Sequence, residues 1–462
     1  MGRSLVIECL LPSFCHSEIQ HTVSYVMGRL FDCNVSFGQS KNEKITISVD
    51  GEKKLVLNAV FFQKADKKWL DACTLPRDIQ FYRNVHNPED SESALPVLYG
   101  IPEVVLSNDV IEVEVDILGS VFFMLSRYEE CVDGANLDEH GRFQATSSIA
   151  YKNNFLNRPI VDEYINLLGS LMKELWPHLQ EKKRTFNKFV TCDVDWPFDP
   201  IRRSFFLTVK GALSKLIRGK SMVQSAQLIK HYFKHKLSLP DVDSCRDNVY
   251  WIMEENEKLG RKVAFYFITE LTNDSFESKY DFDSREMREL FKDIAERGHE
   301  IGLHPGYNCM IDPDLFYRST LTLKRILQEE RIEQDVLGGR MHFLRWDSRT
   351  TPKLWDECGF DYDSSLAYAE LSGFRCGTCH PFPMYDVMNR QPLRLIQRPL
   401  INMECTVISP KYEGFGYTDQ TLERFNSFIE KVKAYNGEYV LLWHNTHFDH
   451  QVDRSIYKEI IK

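Results

Sequence analysis

From residue 186 onward the sequence alternates short apolar runs with amphipathic segments, and that rhythm restricts the fold more than any other feature. Phe186 to Cys192, Lys262 to Ile268 and His299 to Leu303 are β-rich runs. Val249 to Leu259, Ser284 to Arg297 and Asp314 to Glu330 place apolar residues at helical spacing, with Gly260 and Gly298 as stops and Ser284 as a cap. Val336 to Leu344 reads as extended and Pro352 to Cys358 as a short helix ended by Gly359. Thr418 to Tyr435 is a helix that leads into a last strand, Tyr439 to Trp443. Strands alternating with helices are joined by crossovers into parallel sheets, so the expected class is α/β, either a barrel or a doubly wound sheet. In barrels of this kind the chemistry sits on loops at the C-terminal ends of the strands.

Residues 1–180 read differently, as a smaller mixed α/β domain without recognisable chemistry. Met1 to Cys15 has the look of a first strand, and Lys44 to Asp50 and Leu55 to Phe62 read as two more, the first by strict alternation. Phe122 to Tyr128 and Pro159 to Leu179 turn helical. The polar stretch Gln180 to Arg184 is the expected junction with a second domain at 186–462. Tyr82 to His86 and Tyr128 to Glu130 are polar but form no recognisable site. Arg202, Arg203, Lys210, Lys215, Arg218 and Lys220 make a basic stretch, which reads as a solvated helix face or as a contact for an acidic or phosphorylated glycan.

Three predicted strands deliver titratable groups at the same end. The first ends in Thr191-Cys-Asp-Val-Asp195, whose carboxylates at i and i+2 share one side of an extended strand. The next ends in His304, followed by Pro-Gly-Tyr-Asn308, and the last ends in His444-Asn-Thr-His447. Each signal taken singly has a plain structural alternative: a cap pair, a satisfied core histidine, a loop. Their joint placement points to a site that pairs a metal with an acid and a base.

These runs resemble motifs of the polysaccharide deacetylase family, the NodB-homology domain. Thr191-Cys-Asp-Val-Asp195, Gly298-His-Glu-Ile-Gly-Leu-His304 and Val440-Leu-Leu-Trp-His444 are similar to its first, second and last motifs. The resemblance covers about 186–450 and implies a distorted (β/α)7 barrel. It implies Asp193 as general base, Asp195 and His304 as ligands of a divalent metal, zinc by the family's habit, and His444 as general acid. The implied reaction is attack of a metal-bound water on an acetamido carbonyl, with the metal stabilising the oxyanion. The family's second metal-binding His, four residues after the first, is Asn308 here. Three outcomes are open: Asn308 ligates, another His such as His342, His380 or His447 takes the place, or the metal site is lost. Arg345-Trp-Asp347 stands where the family has an Arg-containing groove motif, so Arg345 is expected to orient Asp193 or touch substrate and Trp346 to form a groove wall. A surface ion pair and a core Trp are the alternatives. Gly373 to Phe382 reads as a further active-site loop, in which Arg375 could hold a carboxylate or phosphate and His380 could also contact substrate. Cys376-Gly-Thr-Cys379-His380 matches the haem-attachment pattern, a CxxC redox pair, or a plain loop with buried thiols, the reading we prefer.

The formal net charge of -10 disfavours nucleic acid and anionic membrane surfaces as partners. No apolar run approaches the ~20 residues that span a bilayer. The N-terminal run is broken by Glu8, and twelve scattered Cys fit a reduced compartment, so the expected location is the cytoplasm. The expected activity is a hydrolase that removes an N- or O-acetyl group from a sugar, glycan precursor or related C–N substrate. The alternative is an inactive deacetylase-like barrel that binds a glycan or a protein.

Overall fold

The computed structural model describes residues 5–83, 94–132, 134, 136–199, 206, 208–210, 213, 229–230, 232–233, 243–448 and 450–462. Asn84 to His86, and Arg202, Arg203, Lys215, Arg218 and Lys220 of the basic stretch, lie outside the described residues. Among the described residues no helix is long and apolar enough to cross a membrane.

The first sheet is built from β1 (Leu5–Leu11), β2 (Cys33–Gln39), β3 (Ile45–Ser48) and β4 (Lys54–Leu57). β5 (Gln80–Tyr82) and β6 (Leu95–Val97) form a separate two-stranded ladder, and β7 (Gly100–Leu106) and β8 (Val110–Val115) complete the first sheet in the order β2-β1-β3-β4-β8-β7. The expected strand Leu55 to Phe62 is only half a strand, because a helix begins at Val60. The cause is the buried Asp116 carboxylate, which accepts the N–H of Phe61 at 2.7 Å and of Gly119 at 2.8 Å and so caps two helix starts. Helices His16–Leu30, Ile117–Leu125 and Ile160–Leu175 pack beside this sheet.

The second sheet takes β9 (Asn187–Val194), β10 (Val263–Phe267), β11 (Glu300–Leu303), β12 (Gly338–Gly339), β13 (Tyr362–Asp363), β14 (Phe382–Asp386), β15 (Gln391–Gln397), β16 (Asn402–Met403) and β17 (Glu438–Leu442). Their order is β14-β15-β13-β12-β11-β10-β9-β17-β16, parallel throughout except for the β14–β15 hairpin. The sheet curls. Residues 398–401 carry the chain from β15 to β16 at the other end of the ladder, a span of at most about 18 Å. Arg398 then pairs with Glu438 of β17 at 2.7 Å and lies over the ring of Phe189 in β9. The expected seven-stranded barrel is therefore corrected in strand count and in closure: among the described residues no ladder joins the two edges. Two-residue strands such as β12, β13 and β16 offer too few backbone groups to propagate pairing.

The extended segment expected at Val336 to Leu344 shrinks to the Gly338–Gly339 pair. Packing explains the glycines. A Cβ on Gly338 would meet the Tyr362 ring at 2.1 Å, and one on Gly302 would meet Tyr266 at 2.6 Å. Those two tyrosines fill the inside of the curled sheet and share a hydroxyl–hydroxyl bond of 2.8 Å. One buried apolar cluster spans both sheets, from Ile7 to Ile461.

Candidate functional site

The parallel ladder sets the candidate side chains along one rim. Asp193 is the penultimate residue of β9, in register with Tyr266, and Asp195 follows the strand end. His304 follows β11 with its N–H on the Phe267 carbonyl at 2.8 Å, and Arg340 follows β12 with its N–H on Leu303 at 3.0 Å. Trp443 extends β17 by bonding the Thr191 carbonyl at 3.1 Å, which places His444 on the same rim. Backbone pairing thus continues just to the titratable residues of the rim.

Asp195 Oδ1 lies 3.4 Å from His304 Nε2 and 3.5 Å from His342 Nε2. Ligand atoms of these three residues all fall within 4.8 Å of one another. His304 donates from Nδ1 to the Arg340 carbonyl at 2.6 Å, which fixes the ring and turns Nε2 toward the cluster. Asp195 Oδ1 and His304 Nε2 are buried without a hydrogen-bond partner. Unpaired buried polar atoms cost on the order of 1–3 kcal/mol each, and a cation among them removes that cost. Burial drives His342 toward its neutral form. Burial would raise the Asp195 carboxyl, but His304, and with it His444, hold it well below the usual carboxylate range. One carboxylate and two imidazoles suit a zinc-like divalent ion and leave positions open for water or substrate.

Asp193 is 2% exposed, and its Oδ1 accepts from Arg340 Nη1 at 2.7 Å. Its Oδ2 faces His304 Nε2 at 3.7 Å. Arg340 is itself fully buried and spends three of its four remaining donors on Thr191 Oγ1 at 2.8 Å, the Ser364 carbonyl at 2.7 Å and Ser364 Oγ at 3.0 Å. A rigid fork in that position fixes one carboxylate oxygen and leaves the other facing the cluster.

His444 Nε2 lies 3.9 Å from Asp195 Oδ2, and its Nδ1 donates to Glu404 Oε1 at 2.5 Å. Burial alone would lower the His444 pKa, but the Glu404 carboxylate raises it well above the usual value and so favours the imidazolium. Glu404 was not singled out from the sequence, nor was Arg340. Beside them Cys405 Sγ sits 3.5 Å from both ring nitrogens of His447. Burial and Glu404 push that thiol up to about 12, which removes it as a nucleophile at neutral pH.

Five expected site residues lie elsewhere. Asn308 is turned onto the neighbouring loop: its N–H bonds Thr272 Oγ1 at 2.9 Å and its side chain donates to the Thr272 carbonyl at 2.8 Å. Arg345 does not orient Asp193; it donates to the carbonyls of His140, at 2.7 Å, and Tyr307. Trp346 is no groove wall but a core residue 2% exposed, bonded to Ser348. Arg375 is buried in a bidentate pair with Glu130 at 2.9 and 2.8 Å. His380 is buried, with Nε2 on the Tyr435 carbonyl at 3.0 Å. Its neighbours Thr378 and Cys379 bond the fully buried Asp162, so the Cys376-to-His380 loop is a joint between the two sheets' helices.

Burial lowers His380 from 6.5 to about 4. The folded-state value is below the unfolded one, so its contribution is fully present above the unfolded pKa and is lost as pH falls toward 4. Denaturant unfolding of wild type is expected to weaken across that window. His380→Gln should lose up to about 3 kcal/mol less over the same range. Parallel curves for the two proteins would refute the assignment.

A family of unknown function (DUF7033) matches residues 9–177. No curated protein matches the chain. Among solved structures, a protein described as a polysaccharide deacetylase from Mycobacterium smegmatis aligns at 19% identity with a TM-score of 0.39, covering 62% of this chain and 84% of its own. Puue allantoinase aligns at 13% identity with a TM-score of 0.38, covering 62% of this chain and 85% of its own. By its own geometry, the chain is a mixed α/β protein with a cluster of potential metal ligands at the C-terminal rim of its parallel sheet.

Proposed function

We propose that the chain is a metal-dependent hydrolase that releases an acyl group from a sugar, a glycan precursor or a related C–N substrate. Residues 186–462 would carry the chemistry and 1–180 would form the second unit, in a cytoplasmic protein. The reading is carried by one observation: Asp195 Oδ1 and His304 Nε2 are buried, unpartnered and aimed at each other beside His342. The motif resemblance of residues 186–450 supports it. Asp195, His304 and His342 would hold the ion, with His342 in the place expected of Asn308. A divalent ion at such a site supplies Lewis-acid polarisation of the scissile carbonyl. Asp193, one oxygen clamped by Arg340, accepts the proton of the attacking water through the other. His444, kept protonated by Glu404, donates from Nε2 to the departing amine or alkoxide. Both proton-transfer groups flank Asp195, at 3.7 Å from its partner His304 on one side and 3.9 Å from Asp195 itself on the other.

The test is elemental analysis and acetate release on one preparation. Protein incubated with zinc and desalted is expected to retain about one ion per chain and to release acetate from N-acetylated amino sugars. A chelator should stop turnover and zinc should restore it. Folded protein that retains no divalent ion would refute the reading.

A further inference from the structure

The turn that carries His342 is held in an unfavourable backbone conformation by residues about 200 positions earlier in the chain. His342–Leu344 forms a single helical turn in which Phe343 and Leu344 have φ of 60° and 54°. Two consecutive side-chain-bearing residues in left-handed conformation persist only where the surroundings over-determine them. The surroundings here are residues 138–142. Arg142 Nη1 donates to the Phe343 carbonyl at 2.8 Å, and Arg345, just past the turn, donates back to the His140 carbonyl at 2.7 Å. Arg142 is itself fixed, because its Nε donates to Asp138 Oδ2 at 2.7 Å. Asp138 Oδ1 accepts the N–H groups of His140 and Arg142, both at 2.9 Å. The His140 ring then meets Phe343 edge-on at 5.0 Å and places Nδ1 2.9 Å from the Tyr307 hydroxyl. Arg142 and His140 are 8% and 7% exposed, so these contacts are made away from bulk water.

We propose that Arg142 is a positioning residue for His342, and that ion binding depends on the docking of the N-terminal region through residues 138–142. This rests on the metal reading above. It gives the N-terminal region a role in assembling the site: the ligand arises from one region and its conformation is enforced by the other. Partners that orient a ligand without touching the metal typically control about ten- to a hundredfold of its affinity.

The experiment uses the full-length chain and zinc, with a chromophoric chelator as competitor and the visible absorption of bound cobalt(II) as a report on ligand geometry. Arg142→Met keeps the aliphatic stem and removes the donors. It is expected to weaken zinc binding about ten- to a hundredfold and to alter the cobalt bands. If that variant does not fold, Arg142→Lys replaces it, since an ammonium keeps the charge but cannot serve Asp138 and Phe343 as a planar fork. A smaller loss of affinity, about threefold or more, is then expected, on the same reasoning. A folded Arg142 variant with wild-type zinc affinity and an unchanged cobalt spectrum overturns the proposal. Wild-type protein that binds neither ion sinks the metal reading itself, a result distinct from a failure of the brace.

Discussion

His342→Ala is expected to lose zinc affinity by about a hundredfold, while Asn308→Ala stays within about threefold of wild type. A complete zinc site in a small domain is worth roughly 10–16 kcal/mol, so one ligand of four carries on the order of 3 kcal/mol, about a hundredfold. His342 has a ring nitrogen 3.5 Å from Asp195 Oδ1, in the same buried cluster as His304. The Asn308 amide nitrogen donates to the Thr272 carbonyl, which turns the side chain onto that loop, so its truncation is expected to loosen the loop rather than the ion. Chelator competition on the two purified variants measures both. Equal losses would return Asn308 to the ligand set. Zinc affinity unchanged in His342→Ala would remove His342 from it. Absence of binding in wild type would favour the alternative considered from the sequence, a catalytically silent module for a glycan or a protein.

The placements of Asn308 and His342 show what a sequence can and cannot disclose about a site of this kind. The common placement of Asp193, Asp195, His304 and His444 was legible because each stands at the end of an apolar run, and parallel strands place such ends on one rim. His342 and Arg340 were harder to read. They follow a strand of two glycines that exists because Tyr266 and Tyr362 need the volume, and glycine pairs carry no β signal. The same ambiguity put the orienting role on Arg345, five residues downstream of the arginine that bonds Asp193. Glu404 begins a five-residue helix with no period to detect, and its relation to His444 is one of spatial contact only. Arg375 and His380 were misread for a different reason. A polar, glycine-rich loop looks solvent-facing until its partners are known: Arg375 pairs with Glu130, 245 residues away, and His380 bonds the Tyr435 carbonyl, while Thr378 and Cys379 between them hold the distant Asp162. The leading helices, strands and caps depend on local spacing and were readable. Ladder closure depends on which distant edges meet, and no local pattern encodes it.

Asp193→Asn is expected to lower acyl hydrolysis by about 10²- to 10⁴-fold, the usual worth of a positioned proton acceptor. It should also weaken the fold, and that second effect follows from the structure. Asp193 is the carboxylate that neutralises Arg340, and both are almost completely buried. Removing one member of a buried pair leaves an uncompensated charge, at a cost of about 3–5 kcal/mol, whereas replacing both with neutral groups costs much less. Arg340→Met should accordingly destabilise by a similar amount, leaving the Asp193 carboxylate without its clamp. It should lower the rate as well, because Asp193 loses the bond that holds one oxygen and leaves the other facing His304. The double variant, Asp193→Asn with Arg340→Met, separates the two roles. Its unfolding free energy in denaturant should exceed that expected from adding the two single losses, by about 2 kcal/mol or more, because the stranded charge has gone from both sides. Its rate of acetate release should stay as low as that of Asp193→Asn alone, since repairing the pair does not restore a base. Strict additivity in stability would show that the pair is not coupled. Recovery of activity in the double variant would show that Asp193 serves the fold rather than the chemistry.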